Sequence, residues 1–213
     1  MKVRTEARRE AILEVASQVF LEFGYDRASV SEIVKRVGGS KSTIYGYFAS
    51  KEELFLAVTE AAGEQHMASA LNEITEYRGG DLAAVLTRFA EKLISFLTSD
   101  EAVAAHRMVM GAAAQSDIGR LFYEAGPKRG LTVVAEMFRH AIELGELRAE
   151  DPWILSLHFG GLVSSEHQYH RLFDPKLPPL SRVQIKRSAG RSVSAFLRAY
   201  GKEHAGANGL VAE

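Results

Sequence analysis

The sequence predicts an all-α fold, with a compact three-helix head at the N-terminus and a larger helical body behind it. Three observations lead there. Apolar residues recur at helical spacing along most of the 213 residues, and no Asn-Gly or Asp-Gly pair is flanked by the alternation expected of strands. Serine or aspartate followed by Glu or Gln three positions on recurs before apolar runs, as helix starts require. The five prolines all lie after residue 126, so the first part of the chain holds no helix breaker.

The elements follow in order. A first helix is predicted from about Thr5 to Phe23, with Ile12, Ala16, Val19, Phe20 and Phe23 on one stripe and Gly24 at its C-terminal cap. Ser29–Glu32, "SVSE", reads as a capping box opening a short helix, Val30–Val37, that Gly38-Gly39 ends. Ser40 caps a helix of about two turns reaching Tyr47, and Ser50–Glu53, "SKEE", is a second box opening a long helix. Further helices are predicted at about Asp81–Thr98, Glu101–Gln115, Asp117–Ala125 and Pro127–Leu144, the last closed by Gly145. Asp151-Pro152 starts another, running to about Phe173. After the rigid "PKLPPL" connector, Ser181 and Gln184 form a third box for a helix ending at Gly201. The expectation is nine or ten helices, with a head at 1–51, a body at 52–203 and a frayed Gly- and Ala-rich tail at 204–213.

An apolar fraction of 46% and a charged fraction of 25% suit a globular chain able to bury a core unaided. The absence of cysteine excludes disulfides, thiolate metal sites and a cysteine nucleophile. No apolar run approaches the roughly 18 residues needed to span a bilayer, and "MKVRTEARRE" is not the start of a signal peptide. A cytoplasmic protein without membrane contact is expected. Net charge is −1, but Met1–Lys51 carries 9 Lys or Arg against 6 Asp or Glu, and the remainder 17 against 21. A basic head on an acidic body points weakly to a polyanion partner.

Two short helices joined by a glycine turn and braced by a preceding amphipathic helix form the helix-turn-helix arrangement, whose second helix enters the DNA major groove. The segment "SKSTIYGYFASKEELF", Ser40–Phe55, has the composition for that role. Lys41, Ser42 and Thr43 in the first turn can bond base edges, while Ile44 and Phe48, four residues apart, face inward. Tyr45 and Tyr47 either pack or offer hydroxyls to phosphates. Lys51 adds a charge, and the amides near Ser29, Ser40 and Ser50 can hold phosphate oxygens.

Residues from about Arg9 to Val58, through "FGYDRASVSEIVKRVG" and "SKSTIYGYFASKEELF", resemble the DNA-binding domain of the TetR family of bacterial transcriptional repressors. The resemblance implies base-facing positions at Ser31, Lys41, Ser42 and Thr43, and phosphate-facing positions at Ser29, Tyr45, Tyr47 and Lys51. Gly46 stands where a larger residue that also touches DNA is expected. Gly39 stands where an apolar residue is expected between the turn glycine and the capping serine, giving up a small core contact and adding backbone freedom. Further on, "RLFYEAGPKRGLTVVAEMFRHAIELGELRAEDPWILSLHFGGLV" resembles the C-terminal domain of the AefR-like branch. That likeness implies a small-molecule effector held between body helices, dimerisation through the last two long helices, and operator release when the effector binds.

In the body, two readings stand for each candidate group. Phe89, Phe96, Met110, Phe122, Phe138 and Trp153, with His106 and His158, either fill the core or line a partly apolar effector cavity. Gly160, Gly161, Ser164 and Ser165 cost helix propensity, which close approach of another helix would offset. They are read first as dimer interface, together with Val193, Phe196, Leu197 and Tyr200, and second as a pocket wall. His167 and His170 beside Glu166 have a spacing that could hold a metal, but no second cluster matches, so no metal and no cofactor are expected. No catalytic motif is found. The expected function is a ligand-responsive repressor binding a palindromic double-stranded DNA operator as a homodimer; a helical scaffold without DNA binding is the alternative.

Overall fold

The computed structural model describes residues 5–114, 116–174 and 176–202. Among them are eleven α-helices and one isolated bridge, between Leu147 and Gly201. The head consists of α1 (Glu6–Arg27), α2 (Val30–Val37) and α3 (Lys41–Tyr47). The body runs through α4 (Lys51–Thr75), α5 (Leu82–Leu97), α6 (Asp100–Ala112), α7 (Ile118–Ala125), α8 (Pro127–Glu143), α9 (Pro152–Ser165), α10 (Gln168–Phe173) and α11 (Arg182–Tyr200). No described helix is long and apolar enough to cross a membrane. The predicted tail at 204–213 lies outside the described residues.

Most helix ends fall within a few residues of the expected positions, because caps set them. Ser29, Ser40, Ser50, Asp81, Asp151 and Ser181 each accept a backbone N–H of the first turn. Three details differ. Glu32 does not reach back to its cap; it accepts from Arg36 at 2.9 Å. Glu53 reaches past Ser50 to the Ala49 amide at 2.6 Å. A reciprocal box that was not expected forms at Ser40–Thr43, while the Ser181–Gln184 box is present as expected. Gly24, at φ 74 and ψ 165, breaks α1 as expected, and the turn beyond it swings Tyr25 into the core.

The helix count is eleven rather than nine or ten chiefly because the segment predicted as one helix from Asp151 to Phe173 is two. His167 breaks it at φ −129 and ψ −35. The break turns Arg171 inward, where its guanidinium donates to Asp100 of α6 and to the Leu177 carbonyl. Arg107 of α6 donates to the Leu172 carbonyl at 2.5 Å. Helical periodicity carries no information about such long-range partners.

Two cores form. One joins Ile12, Ala16, Val19, Phe20, Ile33, Ile44, Phe48, Leu54 and Phe55, and continues into Val109 and Ala112 of α6 and Ile118 of α7. The other joins α4, α5, α8, α9 and α11 around Phe89, Phe138, Phe159 and Phe196. In the second, Phe138 stacks on Phe196 with centroids 4.9 Å apart and meets Phe159 edge-on at 5.8 Å. Helix α4 belongs to both: Leu54, Phe55 and Ala57 pack in the head, Met67, Ala70 and Ile74 in the body. The predicted boundary after residue 51 falls at its N-terminus. Phe138→Ala should cost about 3–5 kcal/mol, since it empties a fully buried aromatic site; urea unfolding of the full chain measures it.

Candidate nucleic-acid interface

The geometry of α3 follows from the side chains behind it. Ile44 and Phe48 are 1% and 2% exposed and seat the helix on α1 and α2. That leaves Lys41, Ser42 and Tyr45 outward and exposed. Ser40 Oγ lies 2.9 Å from Ser42 Oγ and 3.0 Å from Thr43 Oγ1, so the first turn presents a cluster of hydroxyls beside the Lys41 ammonium. Ser29 and Ser31 are exposed at the start of α2. Ser29 Oγ accepts the Glu32 amide at 3.2 Å.

Beyond these serines, three further predicted positions are engaged within the protein. Thr43 is half-buried, and its hydroxyl accepts from the Ser40 amide at 3.4 Å in the capping box. Tyr47 is half-buried, and its hydroxyl accepts the Thr5 amide at 3.0 Å; its own O–H remains to donate. Lys51 folds back, its Nζ 4.4 Å from the Tyr25 ring centroid and 3.3 Å from the Asp26 carbonyl it donates to. Burial holds this ammonium below the ordinary lysine value. A phosphate at Lys51 would have to share the cation with Asp26.

Sequence reasoning missed Arg8. It donates to the Val37 carbonyl at 3.1 Å and to the Gly38 carbonyl at 2.5 Å, closing the end of α2 across 29 and 30 positions. Arg36 ties α2 to α1 by donating to Glu22 at 2.7 Å and Glu32 at 2.9 Å while lying over the Phe23 ring. The Arg8 bonds and the Arg36–Glu22 pair leave no signal in local spacing; only the Arg36–Glu32 pair, four residues apart on α2, does.

The body candidates do not converge. Phe89 and Phe138 are core residues, 4% and 0% exposed. Phe96 pairs with His66, and His106 meets Phe122 edge-on at 5.3 Å. Met110 is 61% exposed, Trp153 is half-buried, and His158 is exposed with its Nδ1 2.5 Å from the Tyr200 hydroxyl. None of the eight predicted ligand residues lines either of the two open grooves at α11, because periodicity identifies apolar faces and not what they face.

The interface candidates divide in the same way. Val193 and Phe196 are buried in the chain's own core, away from any surface a second copy could meet. Gly160 faces α8, where a Cβ would meet Leu131 at 3.6 Å. Gly161 and Ser165 are exposed, and a Cβ at Gly161 would meet nothing within 4 Å. Ser164, Leu197 and Tyr200 are half-buried. Between α9 and α11 lies an open groove of about 590 Å³ lined by Ser165, Gly190, Arg191, Ser194 and Arg198 among others. Glu166 and Arg191 bridge the two helices beside it.

Residues 12–58 match the profile of bacterial regulatory proteins of the tetR family. Residues 84–202 match that of the AefR-like transcriptional repressor C-terminal domain. The HTH-type transcriptional regulator YvdT of Bacillus subtilis (strain 168) is 43% identical over 60 residues, which is 28% of this chain and 31% of that protein. Such matches span about a third or less of the first curated relatives' length. A solved structure described as a TetR-family transcriptional regulator from Mesorhizobium loti is 28% identical, with a TM-score of 0.81 over 94% of this chain and 100% of that one. The flavonoid-responsive regulator FrrA is 26% identical, with a TM-score of 0.74 over 93% and 100%.

Beneath α3, the Tyr25 hydroxyl donates to Glu52 at 2.9 Å. Hydrogen bonds from the Glu52 amide and from the Tyr25 and Ser50 hydroxyls hold this carboxyl below its ordinary 4.5. A carboxyl lowered by folding stabilises the fold above the unfolded value, and that contribution is lost as pH falls through the folded one. Tyr25→Phe should cost about 0.5–1.5 kcal/mol near neutral pH. The gap to the parent protein should narrow on acidification below about pH 4, as read by denaturant unfolding at both pH values.

Proposed function

The chain belongs to the TetR family of bacterial regulatory proteins, with an AefR-like C-terminal domain, and on that footing we propose that it is a ligand-responsive repressor acting as a homodimer. Each head reads one half of a palindromic operator, the half-sites lying one helical turn or a multiple apart. The observation that carries this reading is the outward trio Lys41, Ser42 and Tyr45 on a helix fixed from behind by Ile44 and Phe48. Lys41 and Ser42 face base edges, and Tyr45 and the Ser29 turn meet phosphates, so position and sequence are read by different groups.

The head's core includes Val109, Ala112 and Ile118, so a movement of α6 and α7 is a movement of what the head packs on. An effector that favours a different α6–α7 position lowers operator affinity only by its differential affinity for the two states. The likeness to a flavonoid-responsive relative supports a partly apolar aromatic effector as the first class to test. The dimer face proposed is the outer side of α9 and α11, around Gly161, Ser165, Gly190 and Ser194.

Capture of sheared genomic DNA by the purified protein, followed by sequencing, tests the reading; enrichment of a palindrome is expected, and its absence with folded dimeric protein counts against it. Lys41→Ala should weaken operator binding by about 1–3 kcal/mol and relax the preference over random DNA. Equal losses on both duplexes would place Lys41 on the backbone. Gly161→Leu adds a side chain where the protomer has open space, so it should leave the monomer fold intact and weaken the dimer. Sedimentation equilibrium reads this, and an unchanged dimer would remove Gly161 from the interface.

A further inference from the structure

We propose that the first turn of α1 is a clamp that sets the pose of the recognition helix, with Arg8 as its positioning residue and Gly39 as the vacancy that admits it. The proposal deepens the regulator reading and rests on it for its DNA consequences alone.

Helix α2 ends in two glycines at positive φ, Gly38 at 77° and Gly39 at 103°. The carbonyls at a helix end lack intrahelical partners. Here the Val37 and Gly38 carbonyls take the two terminal nitrogens of one guanidinium, that of Arg8. The planar fork of arginine suits two fixed acceptors in a way an ammonium does not. A Cβ at Gly39 would lie 3.2 Å from Arg8 Nη2 and 3.5 Å from Thr43 Oγ1. A side chain there would press on the guanidinium, touch Thr43 at ordinary contact distance, and be strained by the positive φ of the position itself. The same turn of α1 also holds the far end of α3: the Thr5 amide donates to Tyr47 at 3.0 Å, and the Arg9 guanidinium lies 5.6 Å from the Phe48 ring centroid. The turn that leads into this seven-residue helix and the helix's far end are thus both held by the start of α1. Backbone freedom at Gly39 does not loosen α3, because Arg8 occupies the space and bonds the backbone of the turn.

Two of the five Arg8 N–H donors are held by backbone carbonyls of the turn, and on the clamp reading its removal should change which duplex is preferred more than how strongly phosphates attract. The test has two arms. Hydrogen exchange of the free protein should show the α3 amides of Arg8→Ala opening about tenfold faster, with those of α5 and α8 unchanged. Operator binding should weaken about tenfold, with random-duplex affinity and the salt slope unchanged. Arg8→Lys should not restore either value. Unchanged α3 exchange in Arg8→Ala would overturn the clamp. So would equal losses on operator and random duplex with a shallower salt slope, which would make Arg8 a phosphate contact. If Arg8→Ala does not fold, Arg8→Lys, read below its unfolding temperature, decides by the same comparison. A parent protein that prefers no duplex would defeat the regulator reading, while the exchange arm still decides on the clamp.

Discussion

A helix of seven residues cannot hold itself in water, because nucleation costs more than so few hydrogen bonds return. That constraint on α3 governs the head. Ile44 and Phe48 bury its inner side, Ser40 and Thr43 close its first turn, and α1 supplies a floor made of Ile12, Ala16, Val19 and Phe20. What remains outward is polar and short of apolar area, so the helix exists only as part of the head.

The head is not closed on itself. Its core runs on through Leu54 and Phe55 of α4 to Val109, Ala112 and Ile118. Helix α4 passes from this core into the one around Phe89, Phe138 and Phe159. Packed interiors shift between discrete arrangements rather than deform smoothly. A helix shared by two cores, and a helix pair packed into the head's core, join the body to the head through continuous packing. Arg171, buried and paired with Asp100 at the start of α6, fixes the other side of that pair to α10.

Much of the head was legible because its determinants are local. Ser29, Ser40 and Ser50 fix helix starts through hydroxyls three residues from their donors, and Gly24 and Gly38 end helices through a φ that other residues avoid. Lys41, Ser42 and Tyr45 are outward because Ile44 and Phe48 are inward, and a spacing of four residues states that. The roles of Arg8, Tyr47 and Lys51 were not legible. Their partners lie 29, 42 and 25 positions away, and a long side chain reaches whichever group the fold brings near.

The sequence by itself determined that the chain is helical, where most helices begin and end, and that its first fifty residues form three helices, the third opening on a polar turn. Helix geometry and capping act within about four residues, so they are written locally. The tertiary structure alone decided what each apolar stripe touches. It sent Phe196 inward beside a half-buried Leu197, turned Gly160 to α8 and Gly161 to solvent, and split the helix before Arg171. Burial is not directional: periodicity fixes a face of a helix, and only the packing of the other helices fixes what stands opposite it.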